Sequence, residues 1–281
     1  MTTSLVQPAH RPVPGAQRPT GVYVVTDAVT MLRRSLLHVV RYPGLSVFTI
    51  GAPVVVLLLS VFVFGGTLGA GLPGVGAGGR GAYLAYVMPG ILALTIAGTA
   101  GGTAITVAMD MTEGVTARFR TMAISRAAVL AGHVLGGTAQ ALVASGLVLA
   151  VGVLAGFRPR AGLGEWAALL GVVLLVAFAV SWVGVGMGMQ ARSVETASNL
   201  PLLLTFLPLL GSGFVPTASL PTGLRWFAEH QPFTPMIETL RGLLQGAPSG
   251  TDLLLAVGWC VVLTAAGLVW AVRLYERRSL R

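Results

Sequence analysis

Apolar positions in this chain fall into long runs separated by short polar connections, and the length of the runs is the first informative feature. Crossing the hydrocarbon of a bilayer takes roughly 20 apolar residues, with each backbone polar group bonded inside the segment. Six stretches read this way: Leu45 to Phe64, Tyr83 to Met109, Ala127 to Gly156, Trp166 to Met189, Asn199 to Val215, and Leu253 to Val272. The fifth is the shortest and is interrupted by Pro201 and Pro208. Ahead of the first, DAVTMLRRSLLHVVRY (Asp27 to Tyr42) places Val29, Leu32, Leu36, Val39 and Val40 at helical spacing, with Arg33, Arg34, His38 and Arg41 around the remainder. Asp27 can cap the start of this helix and Pro43 follows its end. A basic amphipathic helix beside a span lies in the headgroup plane, its arginines drawn to anionic lipid. Residues 1–26 are polar, contain Pro and Arg, and lack the apolar core of a signal peptide, so they read as a disordered cytoplasmic tail before a single transmembrane domain over residues 27–281. The predicted fold is all-α: a polytopic membrane protein with six transmembrane helices and an N-terminal amphipathic interfacial helix.

Composition agrees with the pattern. The chain has 281 residues, 54% of them hydrophobic and 10% charged, with mean hydropathy +0.83. Ordinary soluble domains carry about 25% charged residues. The net charge of +9 is supplied by arginine alone, for there is no lysine. A P-loop is thereby excluded, since its lysine reaches the nucleotide phosphates. Cys260 allows no intrachain disulfide, and four scattered histidines show no metal-ligand spacing, so no metal site is expected. With the N-terminus inside, thirteen arginines fall on the cytoplasmic side and five (Arg80, Arg158, Arg160, Arg225, Arg241) on the other. That asymmetry predicts both termini in the cytoplasm and an even number of spans.

Two connections are longer than turns need to be. Asp110 to Arg126, between the second and third spans, mixes Glu113, Arg118, Arg120 and Arg126 with Phe119, Met122 and Ile124; it reads as a short amphipathic helix offered to a partner or to the membrane surface. On the other side, the connection from Val215 to Gly250 carries two short helical patterns. Ser219 and Thr234 are candidate caps, Pro235 suits a first helical position, and Glu238 lies toward the positive end of a helix dipole. Leu220, Leu224 and Phe227, then Met236, Ile237, Leu240 and Leu244, give each piece an apolar face. With Trp226 and Phe227 at a boundary position, this predicts an extracellular re-entrant helical hairpin before the last span. The Gly-rich stretch from Gly65 to Gly81 precedes no GK[ST] and reads as a flexible loop.

Candidate chemistry is sparse. Charge inside hydrocarbon is costly and marks function where it persists, yet the predicted cores hold almost none. His133 and Gln140, seven apart in the third span, form either a polar stripe or ordinary interhelical hydrogen bonds. Asp110 and Glu113 make one D-x-x-E, half of what a membrane-bound magnesium-dependent transferase would require. No G-x-S-x-G, H-E-x-x-H or C-x-x-C occurs, so no catalytic residue is assigned. Thr95, Thr99, Thr103 and Thr106 lie along one side of the second span and either line a mildly polar pathway or bond back to their own helix. Small residues recur four apart at Gly98/Gly102, Gly132/Gly136, Gly152/Gly156 and Gly184/Gly188, which permits close helix approach.

The layout, together with two motif regions, resembles the permease subunit of type-2 (ABC-2) ABC transporters, and among them the daunorubicin/doxorubicin-resistance permeases of actinobacteria. Glu113-Gly114, Arg118-Phe119-Arg120 and Ser125-Arg126 are similar to that family's cytoplasmic stretch, with Ala123 where relatives commonly carry proline. Phe214-Val215-Pro216, Leu220-Pro221, Gln231-Pro232-Phe233-Thr234 and Arg241-Gly242-Leu243 are similar to its F-V-P…M-P…N-P-x-T…R-x-L pattern. The resemblance implies an ATP-driven exporter in the bacterial cytoplasmic membrane. It implies a permease without cofactor, paired with a separate ATP-binding subunit that carries ATP and magnesium, and a second permease copy. Arg33, Arg34 and the Glu113 to Arg126 stretch would dock on the ATPase. Spans one, two and five, with the threonines above and Phe206, would line a path for a hydrophobic or amphiphilic drug or antibiotic. A lipid or polysaccharide exporter of the same family is the alternative; nucleic acid is not an expected partner.

Overall fold

The computed structural model describes residues 43–66, 79–112 and 126–279, with side chains described over 51–66, 79–111 and 129–274. The described residues are helical throughout, joined by turns. The elements are α1 (Pro43–Leu59, closed by a π-turn over Ser60–Phe64), α2 (Gly79–Thr112), α3 (Arg126–Leu154), α4 (Leu163–Gln190), α5 (Val194–Asn199), α6 (Leu202–Phe206, running into a 3-10 turn Leu207–Leu210), α7 (Thr222–His230), α8 (Phe233–Gln245) and α9 (Gly250–Ser279). Four of them, α2, α3, α4 and α9, are long and apolar enough to cross a membrane, and they coincide with the second, third, fourth and sixth predicted stretches. The predicted amphipathic helix Asp27 to Tyr42 lies outside the described residues, as do residues 67–78 of the glycine-rich connection.

The fifth stretch differs from a simple span. Its helix starts early, because Ser193 caps α5 by accepting a bond from the Thr196 N–H at 3.3 Å. Pro201 and Pro208 then remove two backbone donors, and the helix breaks into α5, α6 and a 3-10 turn that ends at Leu210. Residues 211–216 are non-helical.

α2 is the axis of the molecule. Its 34 residues give a length of roughly 50 Å at 1.5 Å per residue, and it packs against α1, α3, α4, α5, α6 and α8. Of its most apolar window 78% is buried within the chain, against 17% for α9, which touches α4 and α8 and turns the rest of its surface outward. The core joins Met88, Ile91 and Ile96 of α2 to Val176 and Val180 of α4 and to Met236, Ile237 and Leu240 of α8.

Glycines set two of the crossings. A Cβ at Gly184 would lie 2.8 Å from the Ala100 carbonyl oxygen, and one at Gly188 2.5 Å from that of Ala104, so α4 lies with its backbone directly on α2. Across the other side of α4, Trp270 of α9 fills the space over Gly186, while Gly267 receives the backbone of Trp182. Such small-residue contacts supply the dispersion that joins helices where both protein and lipid are apolar. Gly188→Val is therefore expected to destabilise the purified chain by about 1–3 kcal/mol through overpacking, whereas Gly98→Ala, whose Cβ meets nothing within 4 Å, leaves it unchanged. Thermal unfolding of the two variants in detergent checks this.

Candidate functional site: a polar clamp on the broken fifth segment

Where a helix stops inside an apolar molecule, its last carbonyls need other donors. At the broken fifth segment those donors come from three separate parts of the chain. Gln231, only 4% exposed, donates its side-chain N–H to the Leu207 carbonyl at 3.1 Å and to Thr234 Oγ1 at 3.3 Å. Its Oε1 accepts from the Phe233 N–H at 3.4 Å, and the Thr234 hydroxyl donates to the Ala228 carbonyl. One carboxamide thus fastens the end of α6 to the turn between α7 and α8.

Arg241 of α8 completes the arrangement. Its side chain is 12% exposed. One terminal N–H group donates to the Ser212 carbonyl at 2.7 Å and to the Tyr86 carbonyl at 3.2 Å; the other is paired with Glu238. The guanidinium lies 4.3 Å above the Tyr86 ring, and the Tyr86 hydroxyl itself donates to the Ser212 carbonyl at 3.1 Å. A planar, permanently charged fork can bind several acceptors in fixed directions while lying flat on an aromatic face, a geometry that the compact ammonium of lysine does not reproduce. Beneath the clamp, backbone meets backbone: a Cβ at Gly90 would come 2.6 Å from the Cα of Gly213. Pro89 precedes that contact inside α2.

A second polar pair closes the opposite end of α2. His133 Nε2 of α3 stands 3.3 Å from Asp110 Oδ2, with both side chains mostly buried. It joins the two helices that flank residues 113–125. Asp110 and His133 stand near the connected ends of two adjacent antiparallel helices, a placement that could have marked them as partners. Gln140, farther along α3, lies over Gly102, where a Cβ would be 3.5 Å from its amide.

The sequence-predicted residues are placed as follows. Thr95, Thr99 and Thr103 are buried within the chain, and with the partly buried Thr106 each donates its hydroxyl to a carbonyl of the preceding turn, those of Ile91, Ile96, Thr99 and Gly102. Phe206 is 55% exposed on the broken segment. Pro216 and Pro221 flank the short turn Thr217–Ser219, and Pro232 starts α8. Ser219 does not cap α7: its hydroxyl bonds the Pro216 carbonyl at 2.7 Å, and Pro221 occupies the cap. Thr234 likewise lies inside α8 instead of ahead of it, and Glu238 serves Arg241 from beyond the first turn. The apolar face of α8 is buried; that of α7 is not, with Trp226 64% exposed and stacked on His230 at 4.8 Å and Phe227 also exposed. Glu113, Gly114, Arg118, Phe119, Arg120, Ser125, Arg33 and Arg34 lie outside the described residues, and of Arg126 only the backbone, at the start of α3, is described.

Both motif regions read from the sequence fall within one family match: the model of the ABC-2 type transporter fits residues 26–244. The chain belongs to the ABC-2 type transporter family. It is 26% identical over 265 residues to the daunorubicin resistance ABC transporter permease protein of Streptomyces coeruleorubidus, covering 94% of this chain and 90% of that protein. It is also 26% identical over 275 residues to a probable doxorubicin resistance ABC transporter permease protein of Mycobacterium tuberculosis, covering 93% of each. The ABC-2 chain is accordingly a transmembrane permease. Within it, Gln231 and Arg241 belong to the motif stretch already visible in the sequence; Tyr86 and Ser212 carried no sequence signal, because 155 residues separate Tyr86 from Arg241.

Gln231→Leu would leave the Leu207 carbonyl without its donor and the Phe233 N–H without its acceptor. A loss of about 1–3 kcal/mol is expected for such unsatisfied buried groups, read as a lowered unfolding temperature in detergent.

Proposed function

We propose that the chain is the permease subunit of an ATP-driven exporter that moves an amphiphilic drug or antibiotic out across the bacterial cytoplasmic membrane. The observation that carries this reading is the family match over residues 26–244 together with two relatives, alike over nearly their whole length, that are named as drug-resistance permeases. In this reading the six spans are α1, α2, α3, α4, the broken α5–α6 segment and α9, with both termini cytoplasmic and the N-terminal amphipathic helix on the inner surface. α7 and α8 form the re-entrant hairpin of the outer leaflet: Trp226 and Phe227 of α7 meet the lipid boundary, where aromatic side chains are favoured, and α8 is sunk into the helical core.

The chain works with a separate ATP-binding subunit, which supplies ATP and magnesium, and with a second permease copy. Glu113, Arg118, Arg120 and Arg126, with Arg33 and Arg34, form the docking surface. ATP binding can shift the permease only by favouring one arrangement over another, and the docked segment is the mechanical link. Asp110 and His133 stiffen the base of that link by joining the helices on either side of it. Cargo would pass between the two copies along α1, α2 and the broken segment, where Phe206, Leu203, Phe62 and Val63 offer apolar surface.

Purification of the tagged chain from its native host is expected to recover a P-loop ATPase in near-stoichiometric amount, with Glu113→Arg or Arg118→Glu weakening recovery by about tenfold or more, as expected for loss of a charge pair at an interface. Vesicles containing both subunits should accumulate daunorubicin in an ATP-dependent manner. Recovery of folded permease without any ATPase would sink this reading. ATP-dependent movement of lipid-linked glycan in place of the drug would assign the chain to lipid or polysaccharide export, and magnesium-dependent product formation by the chain alone would make it a transferase.

A further inference from the structure

We propose that Arg241 is a positioning residue for cargo release: through the Ser212 and Tyr86 carbonyls it holds the unwound segment 211–216 closed over α2, and export requires this clamp to open. The inference rests on the exporter reading above and adds to it the part that moves.

The two sides of the clamp are unequally anchored. α2 has its apolar window largely buried among six neighbouring helices, and α8 buries Phe233, Met236, Ile237 and Leu240 completely. The segment between α6 and α7 has no comparable hold. Leu209, Leu210 and Val215 face outward, no helical ladder runs through residues 211–216, and its apolar hold is limited to Phe214 against the core, Ile237 beside Gly211 and Gly213, and the bare contact of Gly213 with Gly90 of α2. Beyond that packing, what ties it to the neighbouring helices is a small set of polar bonds from Gln231, Tyr86 and Arg241, the last two converging on the single Ser212 carbonyl.

The geometry also separates two roles of Arg241. Its pair with Glu238 lies three residues away within α8 and serves that helix alone. Its bonds to Ser212 and Tyr86 cross between elements, and those are the bonds that position the segment. Phe206 stands at the near end of the same broken stretch, so movement of the clamp alters the surface offered to cargo.

The test uses the full chain with its ATP-binding partner in proteoliposomes. Cys260 is buried and is first replaced (Cys260→Ala). Ser212→Cys then places a thiol on a 4% exposed position without touching the clamped carbonyl, and its labelling by a membrane-impermeant maleimide reports opening. Slow labelling is expected at rest, with acceleration on trapping with ATP and vanadate. Arg241→Met should speed resting labelling by about tenfold or more, the shift that follows loss of a charged hydrogen bond from a local opening equilibrium, and should remove the response to nucleotide. Tyr86→Phe, which loses one neutral bond and keeps the ring, should give a smaller acceleration and serves where Arg241→Met fails to fold. The exchange Glu238→Arg with Arg241→Glu keeps a pair inside α8 but no donor for the carbonyls, and should label as fast as Arg241→Met. The proposal is overturned if the variants label at the resting rate, if the exchange restores slow labelling, or if nucleotide leaves the Ser212→Cys chain unchanged while the same vesicles export drug. Absence of drug export with a faster Arg241→Met rate would instead count against the exporter reading and leave the clamp standing.

Discussion

A carbonyl that leaves a helix inside an apolar molecule must find a donor, and this chain is arranged around meeting that demand at one place. The fifth hydrophobic stretch cannot complete a helix across its length, because Pro201 and Pro208 withhold donors and the chain unwinds after Leu210. An unsatisfied backbone group away from water costs several kcal/mol. The freed carbonyls of Leu207 and Ser212 are met by Gln231, Tyr86 and Arg241, drawn from the α7–α8 turn, α2 and α8. The break thereby accounts for α8 lying buried beside α2, and for an arginine being tolerated there.

The rest of the packing is consistent with that constraint. α2 must be long and central because it presents Tyr86 and Gly90 to the break at one end and Asp110 to His133 at the other. α4 must lie close on α2, which Gly184 and Gly188 permit by letting backbone reach backbone. α9 binds α4 through the reciprocal placement of Trp182 with Gly267 and Trp270 with Gly186, and turns its other faces outward. The threonines of α2 illustrate how apolar surroundings absorb hydroxyls. Each spends its donor on its own helix, so a run that could have been a polar lining is satisfied locally.

For an ABC-2 permease the placement of the two polar sites is mechanically sensible. One joins the helices on either side of residues 113–125, and the other ties the broken segment to α2 and α8. Between them runs a single continuous helix, α2. Packed helices of this kind switch between discrete arrangements instead of deforming smoothly.

Much of the architecture was legible in the residues alone. The four long apolar helices, the two short helices before the last one and the break in the fifth stretch follow from hydropathy, helical spacing and proline, since transfer of apolar surface is nearly additive along a chain and proline acts on its own backbone. The all-helical class and the family resemblance rest on the same local information. The caps of α7 and α8 differ from those that Ser219 and Thr234 predict, because Ser219 bonds back to the Pro216 carbonyl and Thr234 reaches the Ala228 carbonyl across the α7–α8 turn. The Tyr86 and Ser212 partners of Arg241 and the bond from Gln231 to Leu207 were decided by tertiary structure: a hydrogen bond across 155 residues depends on where two helices come to rest, and nothing in the spacing of either residue encodes the other's position.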